Sequence, residues 1–216
     1  MIRMILGLVG VVGLVVAIPT LFSGGSLLWF DAAFTDEDGF INSAPVDVDV
    51  EGYALVAGPT EIDIEPEFPI EVGGLATIRI RAESQSATPG IFLGVAEATA
   101  LEAYLDGSTY AVVEDLDEES LELTYRTSED GVIPASPTTV DLWSSSTHGT
   151  GEQVLEWEIE SGDYALVVMN ETGSEPMAFE ATVGVRVPLV RPIGVGLLIG
   201  GGITLALGTI LLAIAL

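Results

Sequence analysis

Two apolar runs bracket this chain, and between them apolar and polar residues alternate. The C-terminal run, Ile193 to Leu216 (IGVGLLIGGGITLALGTILLAIAL), has 24 residues and no charge. A helix needs roughly 20 apolar residues to cross a bilayer core, so this run is long enough to span. The N-terminal run, MIRMILGLVGVVGLVVAIPTLFSGGSLLWF, carries one charge, Arg3, ahead of Asp31. It reads as a retained membrane helix, with Trp29 and Phe30 placed for an aromatic belt. The competing reading is a signal peptide, with Ile5 to Ile18 as its apolar region and Ser23 and Gly25 near a cleavage site.

Small residues recur inside both runs. Gly196, Gly200, Thr204 and Gly208 stand four apart and form a strip along one side of a helix. Gly10, Gly13 and Ala17 give the first helix a small face of its own. Small side chains let two membrane helices approach closely. The expectation is an antiparallel pair, Ile5 to Leu28 against Ile193 to Leu216, touching through Gly10, Gly13, Gly196 and Gly200.

The middle of the chain has the period of strands. Val46, Val48 and Val50 alternate with acids, as do Ile62 and Ile64 with Glu61, Asp63 and Glu65. Ile78 and Ile80 alternate with Thr77, Arg79 and Arg81. The same pattern returns at Leu121 to Arg126, Leu155 to Glu160 and Phe179 to Arg186. Period two with one polar face predicts half-buried strands. Ile91 to Val95 and Tyr164 to Met169 are apolar on both faces and should be central strands. Turn signals stand at Gly73-Gly74, Asp106-Gly107, Asp130-Gly131, Ser161-Gly162 and Thr172-Gly173. One short helix is expected at Ala98 to Leu105, where Leu101, Tyr104 and Leu105 share a face. The fold class is therefore an all-β domain, a two-sheet β-sandwich with one short helix, flanked by two transmembrane helices. The expected boundaries are helix 1–30, linker 31–45, β-domain 46–188 and helix 189–216.

Charge adds a second partition. All 33 acids and five of the six arginines lie between Asp31 and Arg191, which gives that segment a formal charge of −28. There is no lysine. Such a surface repels phosphates, so nucleic acid is excluded as a default partner. It suits high salt, because at about 1 M the Debye length falls to roughly 3 Å and self-repulsion is screened. Arg3 favours a cytoplasmic N-terminus. With two spans this places both termini inside, the domain outside, and the protein in the cell membrane.

Candidate chemistry is thin. The chain has no cysteine, so it has neither disulfides nor thiolate chemistry. Its one histidine, His148, sits in SSSTHGTG and is expected on an exposed loop, a poor place for a catalytic base. One histidine without cysteine would need several carboxylates to complete a zinc site. Asp36, Glu37, Asp38 and Gly39 resemble part of a calcium loop, but Phe34 and Pro45 fall where its first and last carboxylates belong. Asp36, Asp38, Asp115, Asp117 and Glu118 are the weak calcium candidates, each equally read as solvated charge. No other cofactor is indicated. Asn170-Glu171-Thr172 is a glycosylation sequon. Arg79 and Arg81 share one face of a strand, since residues two apart do so. They are read either as register partners of Glu61, Asp63 and Glu65 on the preceding strand or as an interaction spot.

Three stretches carry a resemblance: DGFINS with EGYALVAGPTEIDI; TIRIRA with FLGVAEATALEAYLDGSTYAVVEDL; and DLWSSSTHGTGEQVLEWEIESGDYALVVMNETGS. They resemble a group of hypothetical membrane proteins of actinobacteria and haloarchaea, built as helix, β-domain, helix. The resemblance implies architecture and no catalytic residues. SGDYALVVMN is also similar to the last hairpin of pre-peptidase C-terminal domains, which implies a jelly-roll-like domain by analogy of fold.

Two function classes follow. One is a membrane-anchored binding, structural or accessory module without catalysis, held to the bilayer and to a protein partner or a second copy. The other is a membrane-tethered hydrolase that uses paired carboxylates.

Overall fold

The computed structural model describes residues 2–62, 76–85, 89–117, 120–126, 132–174 and 177–215. In chain order the elements are α1 (Ile2–Phe34), β1 (Ile41–Asn42), β2 (Val46–Val50), β3 (Ala54–Ile62), β4 (Thr77–Ser84), β5 (Ile91–Glu97), α2 (Ala98–Leu105), β6 (Tyr110–Asp117), β7 (Ser120–Arg126), β8 (Ser145–Gly149), β9 (Gln153–Glu158), β10 (Gly162–Asn170), β11 (Met177–Arg186) and α3 (Val190–Ala215). They form two compact units, Met1–Ile41 with Val187–Leu216, and Asn42–Arg186.

The first unit is a pair of long apolar helices, both candidate membrane spans. At 1.5 Å per residue, α1 reaches about 50 Å and α3 about 39 Å, against roughly 30 Å for a hydrocarbon core. Large apolar side chains point outward: Leu8, Val15 and Ile18 on α1, and Ile199, Leu207 and Ile210 on α3, are all exposed. The buried positions are Gly10, Ala17 and Gly24 on α1, and Gly194, Gly201 and Gly208 on α3. A helix pair built for water would bury its large residues instead; small residues inside and large ones outside suit a hydrocarbon solvent. The hydroxyls of Thr20, Thr204 and Thr209 each donate to the carbonyl four residues back, at 2.8 Å. No hydroxyl among these three is left to face lipid unsatisfied.

The second unit holds two sheets. The first runs β1-β11-β4-β9, with β2 also paired to β11; the second runs β7-β6-β3-β10-β5-β8. The β3–β6 pair is parallel, joining Leu55 to Ala111 and Val56 to Val112. Both sheets feed one core. Ile80, Leu155 and Phe179 of the first sheet belong to the same buried cluster as Leu55, Leu93 and Val168 of the second. The rings of Trp157 on β9 and Tyr164 on β10 lie 5.0 Å apart and join the sheets.

The far face of the second sheet is covered as well, which explains why β5 and β10 are apolar on both sides. Phe92 packs 4.8 Å from Trp143, and the Tyr104 hydroxyl of α2 reaches Met169 Sδ at 3.8 Å. Trp143 Nε1 donates to the Pro137 carbonyl at 2.9 Å, which closes the 132–144 segment on itself above this face. Gly94 leaves room for it: a Cβ there would lie 2.7 Å from the Trp143 ring.

The helix expected at Ala98 to Leu105 is α2, and the two strands expected to be central are β5 and β10. One boundary and one strand pairing differ. Helix α1 continues through Asp31 to Phe34, into the stretch read as linker. The strand read around Ile62 and Ile64 is β3, which pairs with β10 and β6 rather than with β4. Asp63, Ile64, Glu65, Gly73-Gly74 and Asp130-Gly131 lie outside the described residues.

Candidate functional site

Steps of seven residues organise the helix seam. Gly10 lies against Gly208, Leu21 against Gly201, and Gly24 against Gly194, while Ala17, midway between Gly10 and Gly24, is buried as well. A Cβ added to Gly24 would sit 2.8 Å from the Gly194 carbonyl oxygen, and one on Gly201 2.8 Å from Leu21. Gly13 also faces the seam: a Cβ added there would lie 3.4 Å from Gly208 Cα and 3.7 Å from the Thr204 carbonyl oxygen. The expected contacts of Gly196 and Gly200 are corrected: an added Cβ at either meets nothing within 4 Å. A four-residue step winds slowly around a helix, whereas a seven-residue step stays on the seam of two helices crossing at about 20°.

On the outer face of the first sheet, pairing places Arg79 between Gly184 and Glu156, and Arg81 between Thr182 and Val154. Arg79 is only 2 % exposed, an unusual place for a guanidinium. It donates from Nη2 to Asn42 Oδ1 at 3.1 Å, and its Nη1 lies 4.0 Å from Glu156 Oε1. Glu156 Oε2 lies 4.0 Å from Arg186 Nη2, so one carboxylate serves two arginines. The acids expected opposite, Glu61, Asp63 and Glu65, are replaced by Glu156, because the neighbours of β4 are β9 and β11. Arg81 differs from Arg79. It is half-buried rather than fully buried, while its Nε, like that of Arg79, makes no hydrogen bond among the described residues. The sequence put both arginines on one face, but it could not rank them by burial, since that depends on what covers each.

His148 is not on a loop. It lies on β8, the edge strand of the second sheet, opposite Phe92. The two rings are near parallel, 19° apart with centroids at 6.3 Å. Its Nδ1 lies 3.6 Å from Glu171 Oε1, in the turn after β10. That turn is anchored, with Glu171 N donating to the Gly90 carbonyl and Ser136 Oγ donating to the Glu171 carbonyl, each at 2.8 Å. The sequence singles out Glu171 only as the middle of the sequon, because nothing local links it to His148.

Asn170 is 7 % exposed. Its Nδ2, the atom a glycan would occupy, donates to the Ser174 carbonyl at 2.7 Å. The folded domain thus withholds the sequon nitrogen, which opposes the glycosylation reading. Asp36 is used locally: its Oδ1 accepts from the backbone N–H of Asp38 at 3.0 Å and of Phe40 at 2.9 Å, an Asx turn rather than a calcium loop. The side chains of Asp115, Asp117 and Glu118 lie outside the described residues. Among the described residues, no three His, Asp or Glu side chains converge as metal ligands.

A cleft of about 30 Å³ lies between α2 and β3, β6 and β10, lined by Leu101, Leu105, Val56, Val112 and Ala165, with Glu102 at its rim. It has room for a water or two and is far below the size of a substrate pocket. Compared with known proteins, the chain matches no family model and no curated protein sequence.

Proposed function

We propose that this chain is a two-pass membrane protein that holds an acidic, jelly-roll-like β-sandwich outside the cell membrane as a non-enzymatic binding, structural or accessory module. The observation that carries the reading is the helix pair, joined backbone to backbone through Gly10, Gly24, Gly194 and Gly208 with its large apolar side chains turned outward. Such a pair is an anchor, and the domain joins its two helices. Because the helices are antiparallel, both termini share one side of the bilayer, and Arg3 favours the cytoplasm. The two sheets with one shared core support a sandwich; the parallel β3–β6 pair is a departure from an all-antiparallel jelly roll. The seven-residue seam and the acidic surface support, respectively, a fixed anchor and life at high salt. The partner fits an acidic ectodomain, so a cationic protein surface or a second copy through the helices is the expected contact rather than nucleic acid.

The absence of cysteine makes the topology directly testable. Exposed Glu152→Cys on the domain should react with a membrane-impermeant maleimide in intact cells, and Ile2→Cys only after lysis. The reverse pattern would place the domain in the cytoplasm. Equal labelling of both sites before lysis would remove the membrane reading. Crosslinking and pull-down from native membranes would then identify the partner.

A further inference from the structure

We propose that His148 and Glu171 form an open two-residue site for a divalent transition-metal ion of the zinc, nickel or cobalt type. The key distance is 3.6 Å between His148 Nδ1 and Glu171 Oε1. It exceeds a normal N–H···O hydrogen bond. Two ligands held at about 2.1 Å from one ion in a tetrahedral arrangement stand about 3.4 Å apart. The gap therefore admits an ion without moving the backbone.

The surroundings hold both ligands in place. Phe92 lies near parallel to the imidazole and sets its plane. Backbone hydrogen bonds to Gly90 and from Ser136 fix Glu171 on its turn. Gly90 completes the arrangement. A Cβ at this position would collide with Glu171 Oε2 and with the Gly149 carbonyl oxygen. Glycine at this position thus leaves the carboxylate its place beside His148. The imidazole gives the site its selectivity, because magnesium and calcium prefer oxygen ligands while zinc, nickel and cobalt accept nitrogen. The two side chains are part-exposed, at 48 % and 36 %. The remaining coordination positions are open to water or to a donor from a partner, unlike a closed structural zinc site.

The test uses the full chain in detergent micelles with ¹⁵N-labelled histidine, titrated with Zn²⁺ in the presence of excess Mg²⁺. Magnesium occupies oxygen-only sites on this acidic surface and leaves imidazole alone. The expected result is a saturable shift of the His148 ring nitrogens, abolished by His148→Gln and weakened at least tenfold by Glu171→Gln. Gly90→Ala, which pushes the carboxylate away, should weaken it similarly if that variant folds. Ring resonances that Zn²⁺ does not move would overturn the proposal, as would complete competition by Mg²⁺ or an unchanged affinity in Glu171→Gln. In those cases the His148–Glu171 contact holds no metal.

Discussion

Gly10 and Gly208 meet backbone to backbone. A Cβ on Gly10 would lie 2.8 Å from the Gly208 carbonyl oxygen, and one on Gly208 would lie 3.0 Å from the Gly10 carbonyl oxygen. Neither position tolerates a side chain without separating the helices. One level away, a Cβ on Gly7 would lie 3.5 Å from Ala215 Cβ, inside the range of a disulfide. The double variant Gly7→Cys/Ala215→Cys should therefore crosslink within one chain on mild oxidation, read as a mobility shift on a denaturing gel. Adding Gly208→Leu should abolish the crosslink, while adding Gly200→Leu should leave it. Loss of crosslinking by Gly200→Leu would restore the four-residue strip as the seam.

That contrast shows where sequence reading stops. The apolar runs, strand periods, central strands and α2 were legible, because burial imposes period two or 3.6 on the chain itself. The helix partner face was not. Glycines at 196, 200, 201, 202 and 208 allow several strips on one helix, and only the second helix selects among them. The same holds for Arg79. Its face was fixed by alternation, but its neighbours depend on strand order, which β9, β11 and β4 settle over long sequence distances. His148 and Glu171 were invisible as a pair for that reason too, since β8 and the turn after β10 meet only across β5.

The first sheet carries a row of like charges. Glu180 on β11 stands opposite Asp47 on β2 and opposite Glu83 on β4, and all three are exposed. Like charges directly opposite across strands are destabilising, by roughly 0.2–1 kcal/mol per pair at low salt. Glu180→Gln should raise the domain's melting temperature at millimolar salt and change it little at molar salt, where the repulsion is already screened. A rise of equal size at both salt levels would show that the row is not the source of salt dependence.

Arg79 and Arg81 should behave differently when replaced. Arg79→Ala removes a buried guanidinium with its packed stem and the hydrogen bond to Asn42, so a loss of about 1–3 kcal/mol is expected in chemical denaturation. Arg79→Met keeps much of the volume and should cost less. Arg81→Ala, at a half-buried position, should stay within about 1 kcal/mol. Equal losses at the two positions would contradict the burial difference that separates them.

Tyr104 links α2 to the segment that covers the second sheet. Its hydroxyl donates to the Ala135 carbonyl, and its ring meets Trp143 edge-on at 5.7 Å. Burial pushes its pKa up to about 12 from the ordinary 10.0. Below pH 10 both folded and unfolded chains keep the proton, and the full contribution to stability is present. Between pH 10 and about 12 the unfolded chain ionises while the folded one does not, so stability falls through this window. A two-unit shift corresponds to about 2.7 kcal/mol, and partial exposure reduces the expected loss to about 1–2 kcal/mol. Tyr104→Phe has no such proton to lose. It should be less stable than the parent at neutral pH, by about 1 kcal/mol for the missing hydrogen bond. Its deficit should shrink as pH rises past 10 and vanish or reverse near 12, measured by denaturant midpoints at matched salt. A deficit that stays constant from pH 8 to 12 would mean that the Tyr104 hydroxyl is open to water and that the segment over β5 and β10 is held by Trp143 without it.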